Sequence, residues 1–330
     1  MSARRRILLL LKPLDVYPPR PPAMPKLSSP SSSSSPPRIL DQKTLSYLND
    51  RCRVHKNTIN FCKEVLQRKS VDWEPIPRNN LSHPIRHVDL VITVGGDGTL
   101  LQASHFLDES IPALGVNSDP TQVDEVSKFS NEFDATRSTG YLCAATAENF
   151  EQVLDEILEG HKIPSELSRI LVSLNSHRLP TYALNDILVA HPCPASVSRF
   201  SFRIKSNREN SSDLVNCRSS GLRLSTAAGS TAAMLSAGGF PMPFSSSGLQ
   251  YMVREPISPR AVHSSLMHGF LKPGQLMHVA WYNQEGRIYV DGSHVQYSIQ
   301  HGDKIEISTM APILKVYLSQ TETRNGIPSQ

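Results

Sequence analysis

The chain has 330 residues, 39% of them hydrophobic and 19% charged, with a formal net charge of +4, a length that allows one large domain or two ordinary ones. The charge is spread without a block of like sign, which argues against a nucleic-acid-binding arm. The longest apolar run near the start, Ile7 to Leu11, falls far short of the roughly 20 residues of a membrane span.

The opening MSARRRILLLLKP has the basic start and apolar stretch of a secretion signal. Lys12 and Pro13 cut that stretch below the ~7–15 residues such a signal needs, so a short buried strand is expected. Residues 18–38, PPRPPAMPKLSSPSSSSSPPR, cannot build a core and read as a disordered insertion. Over 41–69, Leu45, Leu48, Cys52, His55, Ile59, Cys62 and Leu66 recur at helical spacing behind Asp41 as a cap. A strand over 89–94, a helix from about Thr99 to Leu107 and a strand over 111–116 predict a parallel sheet with crossover helices.

A further helix is expected over Ala147 to Glu159. Short alternating runs then take over: SRILVSLNS, ALNDILVAH, SRFSFRIKS, GQLMHVAWYN, GRIYVDG and KIEIST, divided by turns such as QEG and DGS. They predict antiparallel β-structure. The expected organisation is an α/β domain over 1–137, a β-rich domain over 138–305, and a segment 306–330 whose apolar PILKVYLS returns to the first domain. The five cysteines (52, 62, 143, 193 and 217) form no C-x-x-C pair, so neither a disulfide framework nor a zinc site is indicated, and a reducing compartment fits.

Three polar, glycine-rich stretches interrupt apolar strands. In VITVGGDGTLLQA, 91–103, a strand ends in Gly95-Gly96 and a helix begins near Thr99, leaving free N–H groups where a phosphate can sit. Glycine permits positive φ and the close approach of a ligand. The stretch is neither a Walker A loop nor a Rossmann fingerprint, since no Lys-Ser/Thr follows and Leu101 stands where a third glycine belongs. Asp97 is either a plain helix cap or a carboxylate put there for chemistry. In YALNDILVA, 182–190, Asn185 and Asp186 interrupt a buried strand and must find partners; a bulge between two short strands explains them equally well. In RSSGLRLSTAAGSTAAMLSAGG, 218–239, Ser230 and Thr231 open a small-residue helix with room for a flat ligand, or simply cap it.

Together, GGDGT at 95–99, the Asn-acid pair in ALND and GSTA-x-x-x-SAGG at 229–239 resemble the three signature blocks of the NAD kinase family. GVNSDPTQVDEV, FDATRSTGYLCAAT, SRFSF and MVREPISP are similar to the plant NADH kinases in particular. The resemblance implies an α/β N-terminal domain, a β-rich C-terminal domain and an active site in the cleft between them. It implies transfer of phosphate from ATP, with Mg²⁺, to the adenosine-ribose 2′-hydroxyl of NADH or NAD⁺, with NADH favoured.

Asp97 then becomes the base, and Gly95, Gly96, Gly98 and Thr99 the phosphate cradle. Asn185, Asp186, Ser230, Thr231, Ala232 and Ser236 would hold the dinucleotide, with Arg218 and Ser220 beside it; no protein ligand is assigned to the metal. The family's Asn-Glu is Asn185-Asp186 here, its Asp-Gly is Ser220-Gly221, and a tyrosine is replaced by Ala233. The last two changes imply a carboxylate and a ring missing from the ligand side. Two other readings remain: a lipid kinase sharing GGDGT, and a nucleotide sensor without turnover. A homodimer in the cytosol is expected, with neither nucleic acid nor membrane as partner. The C-terminus, Ile327-Pro328-Ser329-Gln330, is not a peroxisomal S-K-L-type signal.

Overall fold

The computed structural model describes residues 4–14, 42–206, 211–257 and 265–319. The Pro/Ser stretch 18–38 lies outside them, as does Asp41, the expected cap of the first helix. The first elements are β1 (Arg6–Leu11), α1 (Gln42–Arg68), β2 (Asp72–Pro77), β3 (Leu90–Gly95), α2 (Asp97–Ser104), β4 (Ala113–Asn117), α3 (Val123–Phe129), β5 (Cys143–Thr146), α4 (Phe150–Leu158) and β6 (Ser165–Leu167). Strands β2, β1, β3 and β4 run parallel in that order. β3 is buried at every position, as a parallel strand covered on both faces must be.

The alternation of β1 shows how the layers form. Ile7 and Leu9 pack with Ile59, Cys62 and Leu66 of α1 and with Phe150 and Leu154 of α4. Leu8 and Leu10 face the other way, onto Leu100 and Ala103 of α2. β2 was hidden from a sequence reading by Pro75 and Pro77; it is the edge strand of the sheet, where a missing N–H can face solvent.

The remaining elements are β7 (Leu171–Leu174), β8 (His177–Arg178), β9 (Asp186–Ala190), β10 (Ser198–Ser206), β11 (Val215–Ser219), β12 (Gly221–Ser225), α5 (Ala233–Ser236), β13 (Leu249–Arg254), β14 (His268–Leu271), β15 (Gln275–Trp281), β16 (Gly286–Val290), β17 (Val295–Ile299), β18 (Lys304–Ser308) and β19 (Leu314–Tyr317). All but α5 and β19 build two six-stranded antiparallel sheets, ordered β11-β10-β15-β18-β7-β8 and β14-β13-β12-β9-β16-β17. Phe200, Phe202, Met277 and Trp281 from one pack against Ile187, Leu222, Tyr251 and Ile288 from the other in a single apolar core.

Sheet membership shifts the expected boundary at 137/138. β5 pairs with β4, β6 pairs with β19 in the first sheet, and α4 packs on that sheet's core. Residues 143–167 therefore sit with the α/β unit. The change to a strand-rich texture precedes the change of sheet, because β5 and β6 are too short to look different from the strands that follow. β19 runs parallel to β4, so Leu314–Tyr317 lie in the first sheet. Leu184 and Ala228 share a core with Leu100 and Leu107, which makes the junction between the units apolar.

Candidate active site

The turn from β3 into α2 is shaped by space rather than by φ. Neither Gly95, Gly96 nor Gly98 has a positive φ. A Cβ on Gly95 would run into the Thr99 side chain and one on Gly96 into Ser138, whereas at Gly98 nothing lies within 4 Å. Substituting the first two forces the turn apart; the third faces open space.

Asp97 is the first residue of α2, and the helix has no side-chain cap. Its carboxylate reaches away from its own helix. Oδ1 accepts the Leu142 N–H at 2.9 Å and Oδ2 the Tyr141 N–H at 3.1 Å. Burial pushes its pKa above the ordinary aspartate value, and those N–H groups with the Cys143 thiol draw it partly back. The carboxylate is thus held in place from a different loop, which a plain cap does not need.

A cavity of about 450 Å³ opens at this turn, with Lys12, Arg78 and Arg137 on its walls beside Asp97 and Asp119. Asp119 pairs with Arg51 at 3.4 Å and lies 4.0 Å from Arg137; burial raises its pKa against the pull of those cations. Burial is also the main force lowering the pKa of Lys12, Asp119 opposes it, and Arg78 and Arg137 push it down further. Three cations gathered around one cavity form a site that an anion stabilises. Sequence reasoning missed these three. They come from the end of β1, the turn after β2 and the loop before β5, and no local motif joins them.

Asn185 and Asp186 sit where β9 begins. The Asp291 carboxylate, just past the end of β16, accepts the N–H groups of Leu184, Asn185 and Asp186 at 2.8, 2.7 and 3.0 Å. Thr226 donates its N–H to the Asn185 carbonyl at 2.9 Å, and Gly229 lies so close to the Asn185 backbone that a Cβ there would overlap it. The second and third sequence blocks are therefore in direct contact. Asn185 Oδ1 is buried and has no hydrogen-bond partner. Asp186 pairs with Arg223; burial raises its pKa to about 6 despite that cation.

A second cavity, of about 560 Å³, is walled by Asp186, Arg223, Ser220, Ala233, Arg254 and Glu255, among others. Ser220 donates a hydrogen bond to the Glu255 carboxylate. The acid expected to be missing at position 220 is present in space, supplied by Glu255 just past the end of β13. Glu255 has φ +46°, a left-handed conformation that a non-glycine residue adopts at a cost of ~1–3 kcal/mol.

The other expected site residues divide. Ser230 is fully buried, and its hydroxyl donates to the Ala227 carbonyl at 2.7 Å and accepts the Met242 N–H at 2.8 Å. It holds the turn together instead of facing a ligand. Thr231 is half-buried and Ala232 and Ser236 are exposed; the helix expected from Ser230 begins only at Ala233. Arg218 is exposed on β11 and is not among the residues walling either cavity.

Residues 38–120 match the ATP-NAD kinase N-terminal domain. The chain is 66% identical to a probable NADH kinase of Oryza sativa subsp. japonica, over 98% of this chain and 99% of that one. It belongs to the NAD kinase family. An NADH kinase of Arabidopsis thaliana is 61% identical over 96% of each chain. Among solved structures, yeast NADH kinase complexed with NADH superposes with a TM-score of 0.66 at 16% identity, covering 99% of this chain and 87% of that one. An NAD kinase from Archaeoglobus fulgidus in complex with ATP gives 0.63 at 19%, covering 97% and 96%. At those identities the likeness is one of fold: an NAD kinase with an α/β unit and a β-rich unit.

Proposed function

We propose that this NAD kinase family member transfers the terminal phosphoryl group of ATP to the 2′-hydroxyl of the adenosine ribose of NADH, and less readily of NAD⁺, giving NADP(H). The observation that carries the reading is Asp97: a buried carboxylate, fixed by backbone N–H groups of another loop, at the wall of a cleft rich in cations. Phosphoryl transfer asks a protein for positioning, charge neutralisation and a group that takes the nucleophile's proton. Asp97 takes the ribose proton. Its pKa, raised by burial, strengthens it as a base. The N–H groups of Gly96 and Gly98, at the positive end of α2, receive phosphate oxygens, with Gly95 shaping the turn and the Thr99 N–H closing it on the Gly96 carbonyl at 2.9 Å. Lys12, Arg78 and Arg137 neutralise the rest of the triphosphate.

Asn185 and Asp186 hold the adenosine half of the dinucleotide. The unpartnered Asn185 Oδ1 is an acceptor that an adenine amino group would satisfy, which removes the cost of a buried unsatisfied atom. Thr231, Ala232 and Ser236 border that half; Arg218 and Ser230 take no direct part. Among the described residues no group of three or more His, Cys, Asp or Glu gathers as a cation site. Mg²⁺ typically takes one or two carboxylates and otherwise phosphate oxygens and waters, so a cleft holding Asp97 and Asp119 suits an ion that enters on ATP. When bound, it neutralises charge on the transferring phosphate. We place the enzyme in the cytosol as a homodimer. No helix among the described residues is long and apolar enough to cross a membrane.

The lipid-kinase and sensor readings gain no support, since relatives similar over nearly the whole chain carry the name NADH kinase. The test is to mix the purified protein with ATP, Mg²⁺ and NADH and assay NADPH with an NADP-specific dehydrogenase. Steady NADPH formation, faster than NADP⁺ formation from NAD⁺, is expected. No product from either substrate overturns the reading.

A further inference from the structure

The base and the dinucleotide-binding backbone sit on different units, and one hydrogen bond joins them. His105 follows the last residue of α2, the helix that begins with Asp97. Its Nε2 lies 2.9 Å from Oδ2 of Asp291, with side-chain exposures of only 9% and 0%. Asp291 is the carboxylate that receives the N–H groups of Leu184, Asn185 and Asp186, and its own N–H donates to the Asp186 carbonyl at 2.9 Å. Its φ of +51° is left-handed, so the turn is held in a conformation that aims the carboxylate at β9.

Apolar contacts of Leu100 and Leu107 with Leu184 and Ala228 also cross to the β-rich unit, but they are non-directional, whereas the hydrogen bonds of Arg169 tie this end of α2 to the returning tail. Arg169, fully buried, donates to the carbonyls of Ser104 and Leu107 and to those of Pro312 and Ile313. That arrangement fixes the helix to its own sheet. His105 fixes it to the other unit.

Resting on the reading above, we propose that His105 is a positioning residue: through Asp291 it sets the separation between the Asp97 carboxylate at one end of α2 and the ribose held by Asn185 and Asp186. A helix transmits displacement along its axis, and a misplacement of about 1 Å between reacting groups can lower the rate by ~10²-fold. The bond therefore acts on turnover more than on the affinity of either nucleotide.

The experiment combines His105→Leu, which keeps volume without a donor, His105→Gln, which restores one, and Asp97→Asn. Wild-type turnover of ATP and NADH comes first; if there is none, the functional reading fails and the bond is not at issue. With turnover present, His105→Leu should lower kcat by ~10-fold while leaving the KM for ATP within about twofold and the thermal midpoint close to wild type. His105→Gln should recover most of that loss. In the Asp97→Asn background His105→Leu should cost almost nothing more, because the group it positions is gone; residues acting as a unit are non-additive in this way. Unchanged kcat in His105→Leu, a loss that multiplies with Asp97→Asn, or a folded His105→Gln without recovery each overturns the proposal. If His105→Leu does not fold, His105→Asn, too short to reach Asp291, takes its place in the same cycle with the same criteria.

Discussion

The two cavities handle charge in opposite ways. Around Asp97 the walls carry Lys12, Arg78 and Arg137 against two carboxylates, and the pKa of Lys12 is lowered, first by burial and then by Arg78 and Arg137. In the larger cavity the charges are matched: Asp186 lies on Arg223, Glu255 receives Ser220, and Arg254 approaches Glu255 at 3.5 Å. The first suits an anion such as a triphosphate. The second is already neutralised internally, and suits a ligand end that brings no charge, such as a dihydronicotinamide. The lesson is that one chain can separate chemistry from selectivity by gathering several cations at one site and pairing charges one to one at the other.

The largest effect should come from the base. Asp97→Asn is expected to lower kcat by ~10²–10⁴-fold with nucleotide affinity, measured by calorimetry, little changed. The sign of the pH dependence follows from burial. Asp97 acts only when ionised, so wild-type kcat should fall as pH drops through a value above the ordinary aspartate range. That acidic limb should be missing from the Asn variant. A variant that retains near-wild-type turnover removes Asp97 from the mechanism.

The next largest concerns the matched charges. Arg223→Met leaves the Asp186 carboxylate buried without its cation, a change that costs ~3–5 kcal/mol when a buried pair is broken. With a folded pKa of about 6, raised above its unfolded value, Asp186 contributes stability that is present below the unfolded pKa and lost as pH rises through about 6. Removing Arg223 raises that pKa further. The variant's deficit in chemical denaturation should therefore be large at pH 8 and smaller at pH 5. Equal deficits at both values would mean the pair is not what stabilises this region.

Arg78→Ala tests the cation-rich cluster. Losing one charge-assisted contact to phosphate, worth ~1.5–3 kcal/mol, should raise the KM for ATP by ~10–100-fold and leave that for NADH nearly unchanged. Equal rises for both substrates would blur the division between the cavities. The smallest effect is expected at the matched one. Ser220→Asp adds a second carboxylate beside Glu255, and a cationic nicotinamide gains from it where a neutral one does not. A full charge at ~4–6 Å in a medium of effective dielectric near 20 is worth about 3–4 kcal/mol before desolvation. At a half-exposed position solvent reduces this to ~1 kcal/mol, a shift of about fivefold in kcat/KM towards NAD⁺. Ala233→Tyr should add to it through ring–cation attraction. Equal changes for NADH and NAD⁺ in both variants and their double would show that the preference arises elsewhere.

What was legible in the chain was whatever is local. Apolar periodicity marked α1, β3, α2, β4 and α4 to within a few residues at each end, and alternation marked β10, β15, β16 and β18. The three glycine-rich blocks were visible because a turn that needs close backbone approach leaves few residue choices at adjacent positions, as Gly95 and Gly96 show. Short elements were not legible. β2 hid behind its prolines, and α3, seven residues long with no buried position, offers no periodic face to detect.

The sequence by itself determined the layers, the blocks and the presence of Asp97, because these follow from the preferences of neighbouring residues. Only the tertiary structure decided that Lys12, Arg78 and Arg137 meet, that Glu255 supplies an acid beside Ser220, that the Ser230 hydroxyl turns inward, and that His105 reaches Asp291 across 186 positions. Each of these depends on how strands distant in the chain come to lie side by side. Charge, burial and hydrogen bonding act through space, and a one-dimensional pattern holds no record of which distant residues will share it.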